Sequence, residues 1–331
     1  MHRWKAAVAA ALLTVLVLMP LAVAPVAAGE PQAKAKAEHE RIVNFWTAER
    51  MKSAKPRDFV VAANGKAQPV GKPVKPPRGG GNSTGASWTG GGPVIARTGK
   101  VYFELGGDYW VCSASAVSNA RADYSLVLTA GHCAFDQATD LASSNWMYMP
   151  SYDTRPILDC ASTQYGCWTA AGLVVHAGYA DEPSFTVRAQ VHDFAIAIVG
   201  PGGHGMTQLE DLGTYPIAYP AISTGGSVHA FGYPAGAPYD GTDLSYCSGP
   251  VSNDVFNGGQ TWGLTCNMTG GSSGGPWLAG FTAAGGGTLT SLNSYRYGGI
   301  NSMFGPKFGA ATRLVVDTAG QAGTFNAIVG R

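Results

Sequence analysis

The chain of 331 residues carries 22 Lys/Arg against 21 Asp/Glu, a net charge of +1, with 46 glycines, six cysteines and 45% hydrophobic residues. The near-neutral total hides a division: residues 30–78 hold 11 basic and 5 acidic residues, a net +6, whereas residues 93–331 hold 9 and 16, a net −7. An acidic main domain excludes the broad phosphate-binding surface that a nucleic-acid partner needs, and the hydrophobic content excludes a wholly disordered chain.

At the N-terminus, Arg3 and Lys5 precede the apolar run Ala6 to Met19, and small residues follow as far as Val26-Ala27-Ala28. Residues 1–28 therefore read as a secretory signal peptide, cleaved after Ala28. Pro20 and Pro25 interrupt the run and no polybasic flank follows it, which argues against a membrane anchor. The expected location is extracellular, with no membrane attachment of the mature form. Residues 29–92 read as a pro-segment and Gly-rich linker. The part up to Arg78 is rich in Lys, Pro and Ala with one short helix around Glu38 to Lys52, and Gly79 to Gly92 is mostly Gly, Ser and Thr. Neither stretch has the composition to bury a core. The opposite charges of the two regions predict that the pro-segment docks on the acidic domain, assisting folding or covering its site; the alternative is a solvated leader with no docking role. A cut near Arg78 or within Gly79 to Gly92 would release it.

From Pro93 onward, about 240 residues carry all six cysteines, few charges, and many Gly, Thr, Tyr, Trp and Val residues, a composition that favours an all-β secreted domain. Runs such as Lys100 to Phe103, Trp110 to Val117 and Ser125 to Leu128 are strand-like, with Gly, Asn and Asp between them. Ala311 to Asp317 reads as a helix or a closing strand.

The strand Ser125 to Leu128 runs into Thr129-Ala130-Gly131-His132-Cys133, which places an imidazole at a strand end with a cysteine fixing the next position. With Cys112 lying 21 positions earlier, this run resembles the chymotrypsin-like serine peptidases, most nearly their secreted microbial branch that includes glutamyl endopeptidases. The resemblance implies two packed six-stranded antiparallel β-barrels, here 93–205 and 206–331 with a short C-terminal helix, and a site in the cleft between them. It also implies polypeptide substrates, no cofactor, no metal and a monomer. A disulfide between Cys112 and Cys133 is implied too, worth roughly 3 kcal/mol in the chain-entropy model. The remaining pairs are expected as Cys160 with Cys167 and Cys247 with Cys266. Without paired C-x-x-C spacing, a zinc site is disfavoured.

Downstream, Asp193 precedes the apolar run Phe194 to Val199, and a carboxylate entering a buried strand must be paired. Asp193 is the candidate partner of His132, in preference to Asp181 and Asp159, which lie in turn-like surroundings. His192 and His229 carry no catalytic role.

Gly270-Gly271-Ser272-Ser273-Gly274-Gly275-Pro276-Trp277 supplies a serine in a tight glycine turn beside converging N–H groups. Its match to G-x-S-x-G suggests an α/β-hydrolase elbow, but that fold needs its histidine after the serine, and none follows Gly274. Ser273 is the expected nucleophile, with Ser272 the rival in register, and the N–H groups of Gly271 and Ser273 form the expected oxyanion hole. The resemblance places the pocket floor at Asn267 and one wall at Asn293, Ser294 and Tyr295. An uncharged floor argues against Arg or Lys preference, and Asn293, where glutamate-specific relatives carry His, argues against strict Glu preference. Ser294 is a candidate hydrogen-bond partner for Asp193. Ser272 stands where many animal members have an Asp that pairs with a new N-terminus, so activation here is expected to rest on pro-segment removal or on folding. The functional expectation is a secreted serine endopeptidase acting through an acyl-enzyme. The alternatives are a non-catalytic binding protein on the same fold, or esterase activity from the same triad.

Overall fold

A computed structural model of the chain describes residues 29–62, 67–69, 83–119, 123–152, 157–220, 222–323 and 325–331. The signal-peptide reading (1–28), Arg78 and the start of the Gly-rich linker lie outside the described residues. Six strands form the first half: β5 (Thr98–Leu105), β6 (Asp108–Val117), β7 (Ser125–Thr129), β8 (Ser144–Pro150), β9 (Trp168–His176) and β10 (Ala195–Val199). Every neighbouring pair is antiparallel, and β7 pairs with both β10 and β6, which closes the barrel. The β5–β6 hairpin turns through Gly106 and Gly107, both at positive φ, the twist that a two-residue turn needs. Val101, Phe103, Leu126, Leu128, Ile196 and Ile198 are wholly or almost wholly buried in its interior and between the halves.

Strands β11 (Ser227–Gly232), β12 (Ser245–Pro250), β13 (Thr261–Thr265), β14 (Pro276–Ala279), β15 (Thr288–Leu292), β16 (Tyr295–Tyr297) and β17 (Ser302–Pro306) make the second half as two sheets. The Cys247–Cys266 disulfide ties β12 to the residue after β13. The C-terminal run is a helix, α3 (Ala310–Gln321), and the chain then returns to the first barrel, where β18 (Ala327–Val329) pairs in parallel with β9. The other two disulfides join Cys112 to Cys133 and Cys160 to Cys167, the expected pairs. No described helix is long and apolar enough to cross a membrane.

The leader departs most from expectation. Instead of one short helix it forms α1 (Gly29–Phe45) and α2 (Ala48–Ser53), separated where Thr47 caps the second helix by accepting a bond from the Arg50 N–H. His39, Ile42 and Trp46 recur at helical spacing and face the barrel, and Ile42, Trp46 and Met51 are all buried. Trp46 packs its ring 5.5 Å from those of Tyr102 and Tyr109 and donates to the Asn145 carbonyl at 2.6 Å. The leader therefore does share a core, because its few apolar side chains find partners on the barrel surface. Part of the Gly-rich linker is likewise structured: β4 (Thr84–Ser87) adds to the edge of β12.

Lys100 lies buried on β5, donating to the Gly241 carbonyl at 3.1 Å and sitting 4.4 Å from the Tyr152 ring centre. Burial pulls its ammonium down to about 8, against a smaller upward pull from Asp240. Between that value and about 10.4 the unfolded chain holds a proton that the folded one has lost, so stability rises with pH across the window. We expect Lys100→Met to remove that rise, about 3 kcal/mol at most. Urea midpoints at pH 7.5 and 10 test this, and an equal rise in the variant would refute it.

Candidate active site

His132 sits in a short 3-10 turn that ends strand β7, and the Cys112–Cys133 disulfide pins the next residue to β6. Asp193 accepts from the His132 backbone N–H at 2.9 Å and faces the ring Nδ1 at 2.8 Å; both residues are fully buried. The Ser294 hydroxyl donates to the same carboxylate at 2.5 Å. A carboxylate at Nδ1 holds the proton there and leaves Nε2 as the acceptor. That Nε2 is buried and has no hydrogen-bond partner among the described residues.

The serine turn depends on its glycines. Gly271 and Gly274 have φ of +95° and +83°, and a Cβ on Gly274 would lie 2.3 Å from the Ser113 carbonyl oxygen. Ser272 spends its hydroxyl on the Thr269 carbonyl at 2.8 Å, turned inward, whereas the Ser273 hydroxyl faces the cleft. The N–H groups of Gly271 and Ser273 make no hydrogen bond among the described residues.

What occupies the cleft is the leader. Strand β1 (Lys55–Pro56) pairs in parallel with β6 at Trp110 and Val111, and β2 (Phe59–Val61) pairs in parallel with β16. The intervening Arg57-Asp58 dipeptide crosses Ser273, whose hydroxyl donates to the Arg57 carbonyl at 3.2 Å. The Arg57 Nε donates to the His132 carbonyl at 2.9 Å, and its guanidinium lies 3.4 Å from Asp136 and 4.9 Å from the Trp110 ring centre. Asp58 is buried against Gly270 and ion-pairs with Arg296. Phe59 stacks on Phe185 at 4.2 Å and meets the His132 ring edge-on at 5.2 Å.

A cavity of about 630 Å³ runs along this seam, lined on the domain side by Trp110, Asp136, Phe185, Thr269, Gly270 and Arg296 among others. The pocket residues expected from the sequence sit apart from it. Asn293 is buried, bonding the Phe231 and Ser272 carbonyls and the Trp277 indole. Tyr295 donates to Asp254, and Asn267 accepts from the Tyr239 hydroxyl. Sequence reading missed Asp136 and Arg296, along with Arg57, Asp58 and Phe59 of the leader. The signal available for Arg296 was its rarity, as one of nine basic residues in 93–331.

A model of the trypsin-like peptidase domain matches residues 112–280. Among solved structures, the chain is similar to the protease Anisep from Arthrobacter nicotinovorans, with 33% identity over 72% of this chain and all of that one at a TM-score of 0.61. It is also similar to the thermostable serine protease AL20 from an extremophilic microorganism, with 35% identity over 70% and 100% at 0.60. A Glu endopeptidase at 18% identity, over 73% of this chain and 99% of that one, shares the fold at 0.54. No curated protein matches the chain.

Proposed function

Because the chain belongs to the trypsin-like peptidase family, we propose that it is a secreted serine endopeptidase held latent by its own leader. The observation that carries this reading is His132, clamped at Nδ1 by Asp193 with Nε2 buried and unpaired. With the leader withdrawn, the Ser273 hydroxyl turns to Nε2. His132 takes the proton as Ser273 Oγ bonds to the substrate carbonyl carbon, and the Gly271 and Ser273 N–H groups receive the oxyanion. The imidazolium, stabilised by Asp193, passes its proton to the leaving amine as the C–N bond breaks, and water then cleaves the acyl-enzyme by the same steps. Nothing in this sequence calls on a cofactor.

In the latent state the Arg57 carbonyl oxygen accepts from the nucleophile itself, not from the oxyanion amides, so the dipeptide is docked without being presented for attack. The leader is thus the partner that covers the site. Secretion is supported by the N-terminal signal sequence and by the pairing of all six cysteines, which suits an oxidising compartment.

The test is mass-spectrometric sequencing of peptides released from a denatured protein mixture by the processed protein from culture medium. Cleavage present in the wild type and lost in Ser273→Ala is expected. Its absence from a protein confirmed to be folded and free of its leader would overturn the reading.

A further inference from the structure

The charges that flank Ser273 are arranged by sign. On the β6 side, Arg57 of the leader is received by three features of the domain: the Asp136 carboxylate, the His132 carbonyl and the face of Trp110. This is a complete guanidinium site, with a counter-charge, a directed acceptor and an aromatic platform. On the β16 side, Arg296 receives Asp58; the two side chains are 13% and 3% exposed. Besides these two, no charged domain residue among the described residues lines the cavity. The leader supplies the counter-charge for both.

Withdrawing the leader removes the opposite charge from Asp136 and Arg296 on opposite sides of the nucleophile, leaving Asp136 only the Thr139 hydroxyl. A part-buried charge without a partner is costly, and that cost is relieved by a ligand bringing the opposite charge. We infer that Arg296 and Asp136 are specificity-determining residues. The cleft selects polypeptides that place an acidic side chain against Arg296 and a basic one against Asp136, on either side of the scissile bond. The Arg57-Asp58 dipeptide occupies both subsites as a surrogate. This inference rests on the endopeptidase reading and names its substrate class. The charge selection is separate from the Asn267 floor, which does not line this cavity.

The experiment uses processed enzyme purified after expression of the full chain, with fluorogenic peptides that share one frame. Glu-Arg and Arg-Glu are placed at the central pair and compared with Gln-Arg, Glu-Gln, Arg-Gln, Gln-Glu and Gln-Gln. In one of the two orders the doubly charged peptide should exceed each singly neutralised one by about 10- to 100-fold in kcat/KM. In Arg296→Gln the Glu-to-Gln ratio should collapse towards one while the Arg-to-Gln ratio persists, and in Asp136→Asn the reverse. Ratios within one variant are independent of how much of it folds, and titration with a serine-directed phosphonate counts the competent sites. Arg296→Lys should recover part of the Glu preference, which a purely structural role would not give. Ser273-dependent cleavage with all ratios near one would overturn the charge inference and leave the endopeptidase standing. Absence of Ser273-dependent cleavage of every peptide would overturn both.

Discussion

Asp193→Asn is expected to lower kcat about 10⁴-fold while the protein stays folded, the size of loss that a reversed imidazole tautomer produces in a Ser-His-Asp site. Both oxygens of Asp193 are engaged: Oδ1 accepts from the His132 backbone N–H, and Oδ2 faces Nδ1 and the Ser294 hydroxyl. An asparagine keeps its carbonyl oxygen on the backbone N–H and presents its amide nitrogen where Oδ2 was. That nitrogen only donates, so Nδ1 must become the acceptor and the ring proton moves to Nε2. The hydroxyl of Ser273 then meets a donor and has no base. Ser294 can rotate its own proton away, so the packing survives. Initial rates normalised by phosphonate titration, with a thermal melt alongside, measure the effect. A loss below tenfold in a folded variant would mean that Asp193 does not set the tautomer.

How much of this was legible in the sequence follows from how local each signal is. Thr129 to Cys133 and Gly270 to Trp277 are continuous runs in which the chemistry and the turn that presents it lie within a few residues, so both were readable. Asp193 was legible because a carboxylate opening an apolar strand demands a partner. The leader was not. Ile42, Trp46 and Met51 form no continuous apolar pattern, and their value comes from Tyr102, Tyr109 and Asn145, which lie far along the chain. The opposite net charges pointed to docking, and the described ion pairs follow them only in part: Arg57 meets Asp136 and Lys55 meets Asp108, whereas Asp58 meets Arg296 with the signs reversed. Of the ion pairs across that interface, Lys55 with Asp108 is more than half exposed on both sides and contributes little. Strands of two and three residues carry no period, so β1 and β2 could not be seen before their partners were known. Arg296 fell one residue beyond the stretch that the family resemblance marks as the pocket wall.

The second large effect is expected at Trp46, some distance from the chemistry. A cut in the linker between β3 (Ala67–Pro69) and β4, as proposed for activation, would leave the leader held by non-covalent contacts alone: α1 against β8 and β9, α2 against β6, and the paired strands in the cleft. Because the Arg57 carbonyl accepts from the Ser273 hydroxyl and not from the Gly271 and Ser273 N–H groups, the proposed enzyme is not expected to remove the leader by cutting there. The nicked complex should therefore stay inhibited until the leader dissociates or is degraded elsewhere. Trp46 is the largest apolar anchor of that contact, buried to 4% exposure and bonded through its indole N–H. Trp46→Ala should cost about 3–5 kcal/mol of docking energy, which weakens inhibition by nicked leader at least 100-fold. Leader titrated back into processed enzyme, wild type against Trp46→Ala, reads this as a shift in inhibition constant. Phe59→Ala is the second arm, since it removes the ring that stacks on Phe185 and covers His132 while leaving α1 in place. Equal inhibition by all three leaders would show that the grip lies in the strand pairing alone, and no inhibition by wild-type leader would show that the docked state is not the latent one.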